Sequence, residues 1–254
     1  MNPGTVALVG AGPGDPELLT RRALARLAVA DLVLNDALVP AELLTLAPHA
    51  RRFFVGKRAG RHSIDQASIN ALLIRAARRG QRVVRLKCGD PFVLGRGGEE
   101  GVALAAAGVP FEVVPGVSSA LAAPALAGIP VTHRGLASGV VIVSGHAEAA
   151  YGPILDGVRP GTATVVALMA VRSRGALAAF LCARGWPTTT PAAVVASASH
   201  VDQARWLGTL ATLGDATLDV DAAAVVVIGA VVELATTLAP AFGEAAAPCR
   251  ADAP

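Results

Sequence analysis

Aromatic residues are scarce in this chain. They make up 4% of its 254 residues, which excludes the interleaved aromatic platforms on which single-stranded nucleic acid stacks. Charge is scarce too. Asp, Glu, Lys and Arg together supply 16%, and the formal net charge of +3 is too small to argue for a nucleic-acid partner over the chain as a whole. Cysteine occurs only at Cys88, Cys182 and Cys249. These are odd in number and far apart, so they form neither a disulfide framework nor a zinc pattern. An unbroken apolar run is missing as well. The mean hydropathy of +0.54 raises the question of a membrane. Yet the longest uncharged stretch, 113–132, holds Pro115, Gly116, Pro124, Gly128 and Pro130 and cannot be one spanning helix. The chain enters a strand pattern at Val6 with no basic and apolar leader. A soluble, cytoplasmic protein is the expectation, with no membrane partner.

What the chain has instead is 53% hydrophobic residues, mostly alanine and valine, which is ample for a packed core. Its most informative stretch is 83–100, VVRLKCGDPFVLGRGGEE. Val83, Val84 and Leu86 read as a short buried strand with Arg85 and Lys87 interleaved. The strand runs into Gly89, Asp90, Pro91, Gly95, Gly97 and Gly98. Glycines there let the backbone turn sharply and approach a ligand with no Cβ in the way. Gly97 opens a helix whose first turn carries Glu99 and Glu100, well placed against its dipole. A strand ending in a glycine-rich loop is where open α/β sheets bind small molecules.

The rest of the first half repeats that alternation. Strands are expected at 6–10, 32–35, 53–55 and 111–114, with helices between them. Asp15 and Pro16 suit the cap and first position of the first helix. Ser63 and Gln66 have the spacing of a capping box for a helix that stops at Gly80. Alternation of this kind makes a doubly wound parallel sheet. The Pro- and Gly-rich stretch 115–130 reads as a domain junction. Beyond it, strands at 140–143, 164–168, 192–195, 206–209 and 223–228, with a helix at 173–184, predict a second, smaller mixed sheet. The expected division is 1–114, a junction at 115–137, a second domain at 138–243, and a disordered Ala/Pro tail at 244–254.

Two patterns bear on chemistry. Gly10-Ala11-Gly12-Pro13-Gly14 after the first strand is a weak match to the dinucleotide-binding pattern, because Pro13 and Pro16 delay the helix. With Asp36 as a ribose-binding acid it leaves a nucleotide-binding oxidoreductase open. Asp36 and Lys57 follow the second and third strands, on the ligand-binding edge of a parallel sheet, where an acid and an amine could handle protons. A capping Asp and a solvated Lys are the plainer alternative.

Several motifs, in matching order over nearly the whole chain, resemble the tetrapyrrole methylase family. They are the stretch 10–20, GAGPGDPELLT, the Gly-Lys-Arg-Ala-Gly of 56–60, and Gly89-Asp90-Pro91-Phe92 with Gly95-Arg96-Gly97-Gly98-Glu99-Glu100. Val114-Pro115-Gly116 and Gly128-Ile129-Pro130-Val131-Thr132-His133-Arg134 complete the set. The resemblance implies two α/β domains with S-adenosylmethionine between them. It implies methylation of uroporphyrinogen III at C2 and C7, giving precorrin-2 by way of precorrin-1, with S-adenosylhomocysteine as by-product and no metal. Sirohaem or cobalamin biosynthesis would use the product. The cofactor would touch Pro13, Cys88, Gly89, Asp90, Val93, Ser118, Ser119, Met169 and Ala198. Asp36 would accept a proton and Lys57 donate one. The carboxylates fringing the substrate would suit the basic cluster at 51–61, with Arg58 and Arg61, and Arg134. A homodimer without a fused dehydrogenase and chelatase module is also implied. Another tetrapyrrole C-methyltransferase of the corrin path is the alternative within the family.

Four positions depart from the family pattern. Cys88 stands where glycine is usual, Asn35 where tyrosine precedes the acid, and Ala170 where glycine follows Met169. Ala196-Ser197 stands where an acidic residue and asparagine are common. Cys88 should tolerate its place if glycine serves there only for clearance, leaving a thiol shielded by bound cofactor.

Overall fold

The computed structural model describes residues 4–56, 64–217 and 223–242. Ser63 and the tail at 244–254 lie outside the described residues. The chain divides into two compact units, Met1–Ser119 and Ala120–Pro254.

The first unit is built on β1 (Thr5–Gly10), β2 (Leu32–Asn35), β3 (Arg51–Phe54), β4 (Arg82–Lys87) and β5 (Phe111–Val114). They form one sheet in the order β3-β2-β4-β1-β5, and every pairing is parallel. Side chains alternate between the faces, so each buried strand feeds two cores. Ala7, Val9, Val33, Val84 and Leu86 face α1 (Arg21–Ala28) and α2 (Ala41–Thr45), where Leu27 and Leu43 meet them. Val6, Leu8, Leu34 and Val83 face α3 (Gln66–Arg78) and α4 (Gly97–Ala106), against Leu73 and Leu104. Helices on both faces make the sheet doubly wound, as the alternation predicts.

Local chemistry explains where the boundaries differ from the sequence expectation. Asp15 accepts from Glu17 N at 2.8 Å, but it caps only a 3-10 turn, Pro16–Leu18. Leu19 is extended, and Thr20 Oγ1 accepts from Ala23 N at 3.2 Å to start α1. At α3 the described cap is a carboxylate, and the Ser63 half of the expected capping box lies outside the described residues. Asp65 is the N-cap, accepting from Ser68 N at 2.7 Å, so Gln66 is the first helical residue and its amide is free to reach elsewhere. The third strand begins at Arg51, earlier than expected, and as an edge strand leaves Arg51, Arg52 and Phe53 exposed.

In the second unit, α5 (Ser119–Leu126) leads in. Then come β6 (Val140–Ser144), α6 (Glu148–Leu155), β7 (Thr164–Leu168), α7 (Arg174–Ala183), β8 (Pro191–Ala196), β9 (Ala204–Thr209), β10 (Ala224–Ile228) and α8 (Leu234–Phe242). The sheet order is β6-β7-β10-β8-β9. Only β6 and β7 are parallel neighbours; β10 runs antiparallel to β7 and β8, and β9 to β8. The mixed sheet expected from the strand spacing is therefore present. Helix α6, which sequence reading leaves out, contains Pro153 and packs Tyr151 edge-on against Phe180 of α7 at 5.3 Å. Among the described residues no helix is long and apolar enough to cross a membrane.

Leu27 is fully buried between α1 and the sheet. Replacing it with alanine deletes apolar contacts and leaves a cavity, which should lower stability by about 2–5 kcal/mol. Urea unfolding checks this: the midpoint should fall while the denaturant slope stays constant.

Candidate active site

The period-two pattern of β4 puts Val83, Arg85 and Lys87 on one face of the sheet. Val83 enters the apolar layer beneath α3 and α4; Arg85 and Lys87 carry full charges into the same layer, with exposures of 2% and 3%. A buried charge needs a partner, and α4 supplies it. Glu100, with 0% exposure, accepts at Oε1 from Arg85 Nε at 2.9 Å, Lys87 Nζ at 3.1 Å and Gln66 Nε2 at 3.2 Å. Its Oε2 is buried without a hydrogen-bond partner among the described residues. Arg85 then reaches across to β2. Its Nη1 lies 3.4 Å from Leu34 O and 3.3 Å from Leu86 O, and Nη2 donates to Asp36 Oδ1 at 2.5 Å. Lys87 Nζ stands 3.9 Å from Asp36 Oδ2. Burial pushes the Lys87 ammonium below its usual pKa; the Arg85 charge adds to this, and the Glu100 and Asp36 carboxylates oppose it.

Asp36 is thus the open end of a chain of charges, with its side chain 31% exposed. Neighbouring Asn35 is buried and donates to the Asp36 carbonyl at 3.3 Å. Sequence reading singles out Asp36 but gives no role to Arg85 and Lys87. It gives Glu100 only a dipole role in the first turn of a helix, whereas Glu100 points inward as the partner of both cations. The signal was available: charges at alternate positions of a strand that otherwise reads as buried.

The loops leaving β1, β4 and β5 converge beside Asp36. Gly12 N donates to Gly89 O at 3.2 Å, and Gly89 N to Gly12 O at 2.7 Å. A Cβ on Gly10 would lie 2.6 Å from the Gly116 Cα and 2.6 Å from Gly89 O, so three backbones touch where no side chain fits. Asp90 braces them, accepting from Phe92 N at 2.8 Å and Gly116 N at 3.1 Å. Pro13 is buried in the first loop and Val93 half-buried in the second. Ser118 and Ser119 lie next to Gly89, with Ser119 N 3.4 Å from where a Gly89 Cβ would sit. Leu94 and Arg96 hold left-handed backbones, φ 53° and 59°, and Arg96 pairs with Glu99 at 2.6 Å.

Cys88 is not among the residues of positive φ, whereas Gly89 has φ 67°. Cysteine is therefore unstrained, and glycine is not required at 88 for conformation. Its Sγ lies 3.9 Å from Gly12 O. Burial, with the Asp36 carboxylate adding to it, pushes the thiol pKa up against the opposing pull of Ser119 and the Gly89 amide.

The structure therefore brings Asp36, Pro13, Cys88, Gly89, Asp90, Val93, Ser118 and Ser119 to one edge of the first sheet. Lys57, Arg58 and Arg61 lie outside the described residues. Met169 and Ala198 belong to the second unit, just past β7 and β8, whose carboxyl ends share an edge of that sheet. Met169, Ser197 and Ser199 all take left-handed backbones there, φ 58°, 48° and 70°. Ala170 is fully buried, and a Cβ on Gly145 would lie 2.4 Å from its own, so the methyl fits because residue 145 has none. Arg134 is exposed in a turn closed by His133 N donating to Ala137 O at 2.9 Å. Among the described residues no cluster of His, Cys, Asp or Glu could hold a metal ion.

A parallel sheet with an open carboxyl edge, an acid at a strand end and loops of bare backbone define a small-molecule site. The loop after β1 is not a dinucleotide loop: it is tied to Gly89, and α1 starts only at Arg21, too late for its N-terminus to cradle a pyrophosphate. A family model for tetrapyrrole (corrin/porphyrin) methylases matches residues 5–214, and the chain belongs to that family, a family of methyltransferases.

Particular relatives narrow the likeness. A siroheme synthase of Methylococcus capsulatus is 48% identical over 242 residues, 93% of this chain and 51% of its own length. Siroheme synthase 1 of Yersinia enterocolitica is 48% identical over 236 residues, 92% of this chain and 50% of its own. The chain thus spans about half the length of these curated relatives. The solved uroporphyrin-III C-methyltransferase of Thermus thermophilus, complexed with S-adenosyl homocysteine, is 43% identical with a TM-score of 0.79; the match covers 91% of this chain and 100% of that one. A cobalt precorrin-4 methyltransferase is 28% identical with a TM-score of 0.78, covering 90% of this chain and 95% of that one.

Because the thiolate is the reactive form and burial raises the Cys88 pKa, alkylation of Cys88 should be slower at pH 7 than that of an exposed cysteine. It should accelerate on raising the pH through the usual thiol range and beyond. Peptide mapping after timed iodoacetamide treatment reads the rate directly; a rate independent of pH would show that access, not ionisation, controls the thiol.

Proposed function

We propose that the protein methylates uroporphyrinogen III at C2 and C7 with S-adenosylmethionine, giving precorrin-2 by way of precorrin-1. The observation that carries the reading is the Asp36 carboxylate, part-exposed at the open edge and beside the backbone loops of β1, β4 and β5. The residues present suit the cofactor. Gly10, Gly89 and Gly116 let the three loops pack into a compact backbone edge, with Ser118 and Ser119 alongside, against which a small molecule could lie. Met169 and Ala198, just past β7 and β8 of the second unit, belong to the same cofactor reading.

S-adenosylmethionine supplies a methyl group on a sulfonium and departs as the neutral thioether S-adenosylhomocysteine. The electron-rich pyrrole carbon of the substrate uses its electron pair to form the new C–C bond, and the ring is left with one positive charge. A proton must then leave the tetrapyrrole. Asp36 accepts it at a carboxylate oxygen, and Lys57 returns a proton where the macrocycle needs one. The rest of the protein's task is alignment, which alone can supply about 7–11 kcal/mol of a barrier. Arg51, Arg52, Arg58, Arg61 and Arg134 give the substrate carboxylates cationic partners. The product suits sirohaem or cobalamin biosynthesis. A cytoplasmic homodimer belongs to the same reading.

A second reading, methylation of a later tetrapyrrole of the corrin path, is favoured by the likeness to the cobalt precorrin-4 methyltransferase. Incubation with uroporphyrinogen III and methyl-labelled cofactor, followed by mass spectrometry, separates them: two added methyl groups support the first reading and an unchanged substrate sinks it. Titration calorimetry should show S-adenosylhomocysteine binding and no heat with NAD.

Asp36→Asn should lower turnover by about 10²–10⁴-fold, the usual contribution of a general base, while S-adenosylhomocysteine affinity changes little. Steady-state kinetics beside calorimetry measure both; wild-type turnover in the variant would reduce Asp36 to a structural acid.

A further inference from the structure

We propose that Glu100 and Lys87 are positioning residues for Asp36, holding its carboxylate in register through a buried charge relay that hangs on the single atom Glu100 Oε1. This rests on Asp36 being the proton acceptor. The geometry is specific. Both oxygens of Asp36 face cations: Oδ1 takes Arg85 Nη2 at 2.5 Å, and Oδ2 stands 3.9 Å from Lys87 Nζ. Both cations are in turn anchored on Glu100 Oε1, at 2.9 and 3.1 Å, and Gln66 of α3 secures the same oxygen at 3.2 Å. Arg85 has each of its three nitrogens engaged, so its orientation is over-determined.

A purely structural demand on this face would not call for such groups. Leu8, Leu34, Leu73 and Leu104 fill the same layer, and buried ion pairs are commonly replaceable by apolar residues without loss of stability. What apolar residues cannot do is fix two oxygens of a carboxylate at a strand end. A displacement of about 1 Å at a reacting group can cost about 10²-fold in rate, which is the scale on which such a relay would be felt.

The experiment is a double-mutant cycle on the full chain, with wild type, Glu100→Gln, Asp36→Asn and the pair, read by S-adenosylhomocysteine release with uroporphyrinogen III. Glu100→Gln should lower kcat by about 10- to 100-fold with the cofactor KM changed less than about threefold. In the Asp36→Asn background the same change should lower kcat by less than about threefold, because the group being positioned is gone. Equal losses in both backgrounds would overturn the proposal and leave Glu100 a folding residue, with the Asp36 reading intact. Wild-type turnover in Asp36→Asn would instead sink the base assignment, and the positioning role with it. If Glu100→Gln does not fold, Lys87→Gln combined with Glu100→Gln removes one charge of each sign. That combination takes its place in the cycle under the same two outcomes.

Discussion

A guanidinium with 2% exposure places a demand on the first unit that no apolar side chain makes: it must be paired. Arg85 cannot be buried on the α3/α4 face of the sheet without a carboxylate, because an unpaired ion there would cost several kcal/mol. Glu100 meets that need only if α4 begins at Gly97 and presents its first turn to β4. The loop from 88 to 96 is therefore held at both ends, by Lys87 in the strand and by Glu100 in the helix, both bonded to each other. Within that span Leu94 and Arg96 adopt left-handed backbones, conformations that cost of order 1–3 kcal/mol each and persist where the surroundings over-determine them. Bonds within the span brace them: Gly97 N donates to Pro91 O at 3.0 Å, Asp90 accepts from Phe92 N at 2.8 Å, and Arg96 pairs with Glu99.

Much of the fold was legible because its signals are local. Valine-rich runs bounded by Gly and Pro gave the strands, and apolar spacing gave the larger helices. Errors fell where two local signals competed. Asp15-Pro16 is a good helix start, but Thr20 is a second one, and the extended Leu19 between them splits the segment into a 3-10 turn and a helix. At α3 the sequence offers both Ser63 and Asp65 as capping side chains, and Asp65 is the N-cap. Helix α6 carries Gly152 and Pro153, residues that weaken a helical pattern, and Gly152 sits where a Cβ would come 3.3 Å from the Phe180 ring.

The site was legible in part, and the division is physical. Asp36 could be found because strand ends on a parallel sheet are few and an acid there stands out. Glu100 could not be placed, because a helix start favours acids for its dipole alone and burial is a tertiary property. Arg85 and Lys87 lay between these cases. In an exposed edge strand their alternation would mean a solvated face, and only the position of β4 between β2 and β1 makes it a buried one. Strand order depends on crossovers, which no short window of sequence contains.

The substitution at Cys88 shows how the two kinds of constraint on a binding loop separate. A glycine can serve a positive φ or simple clearance, and adjacent glycines in a motif do not reveal which does which. Here Gly89 takes the left-handed backbone, while an added Cβ there would meet Ser118 and Ser119 only at ordinary van der Waals distance, so it is conformation that requires the glycine. Cys88 keeps an ordinary backbone, and its side chain finds room beside Gly12 O, so only clearance was at stake. A side chain at 88 then narrows the space next to Asp36 without altering the loop's path. The thiol is also a neutral group where a second carboxylate or cation would disturb the charges set by Arg85 and Lys87.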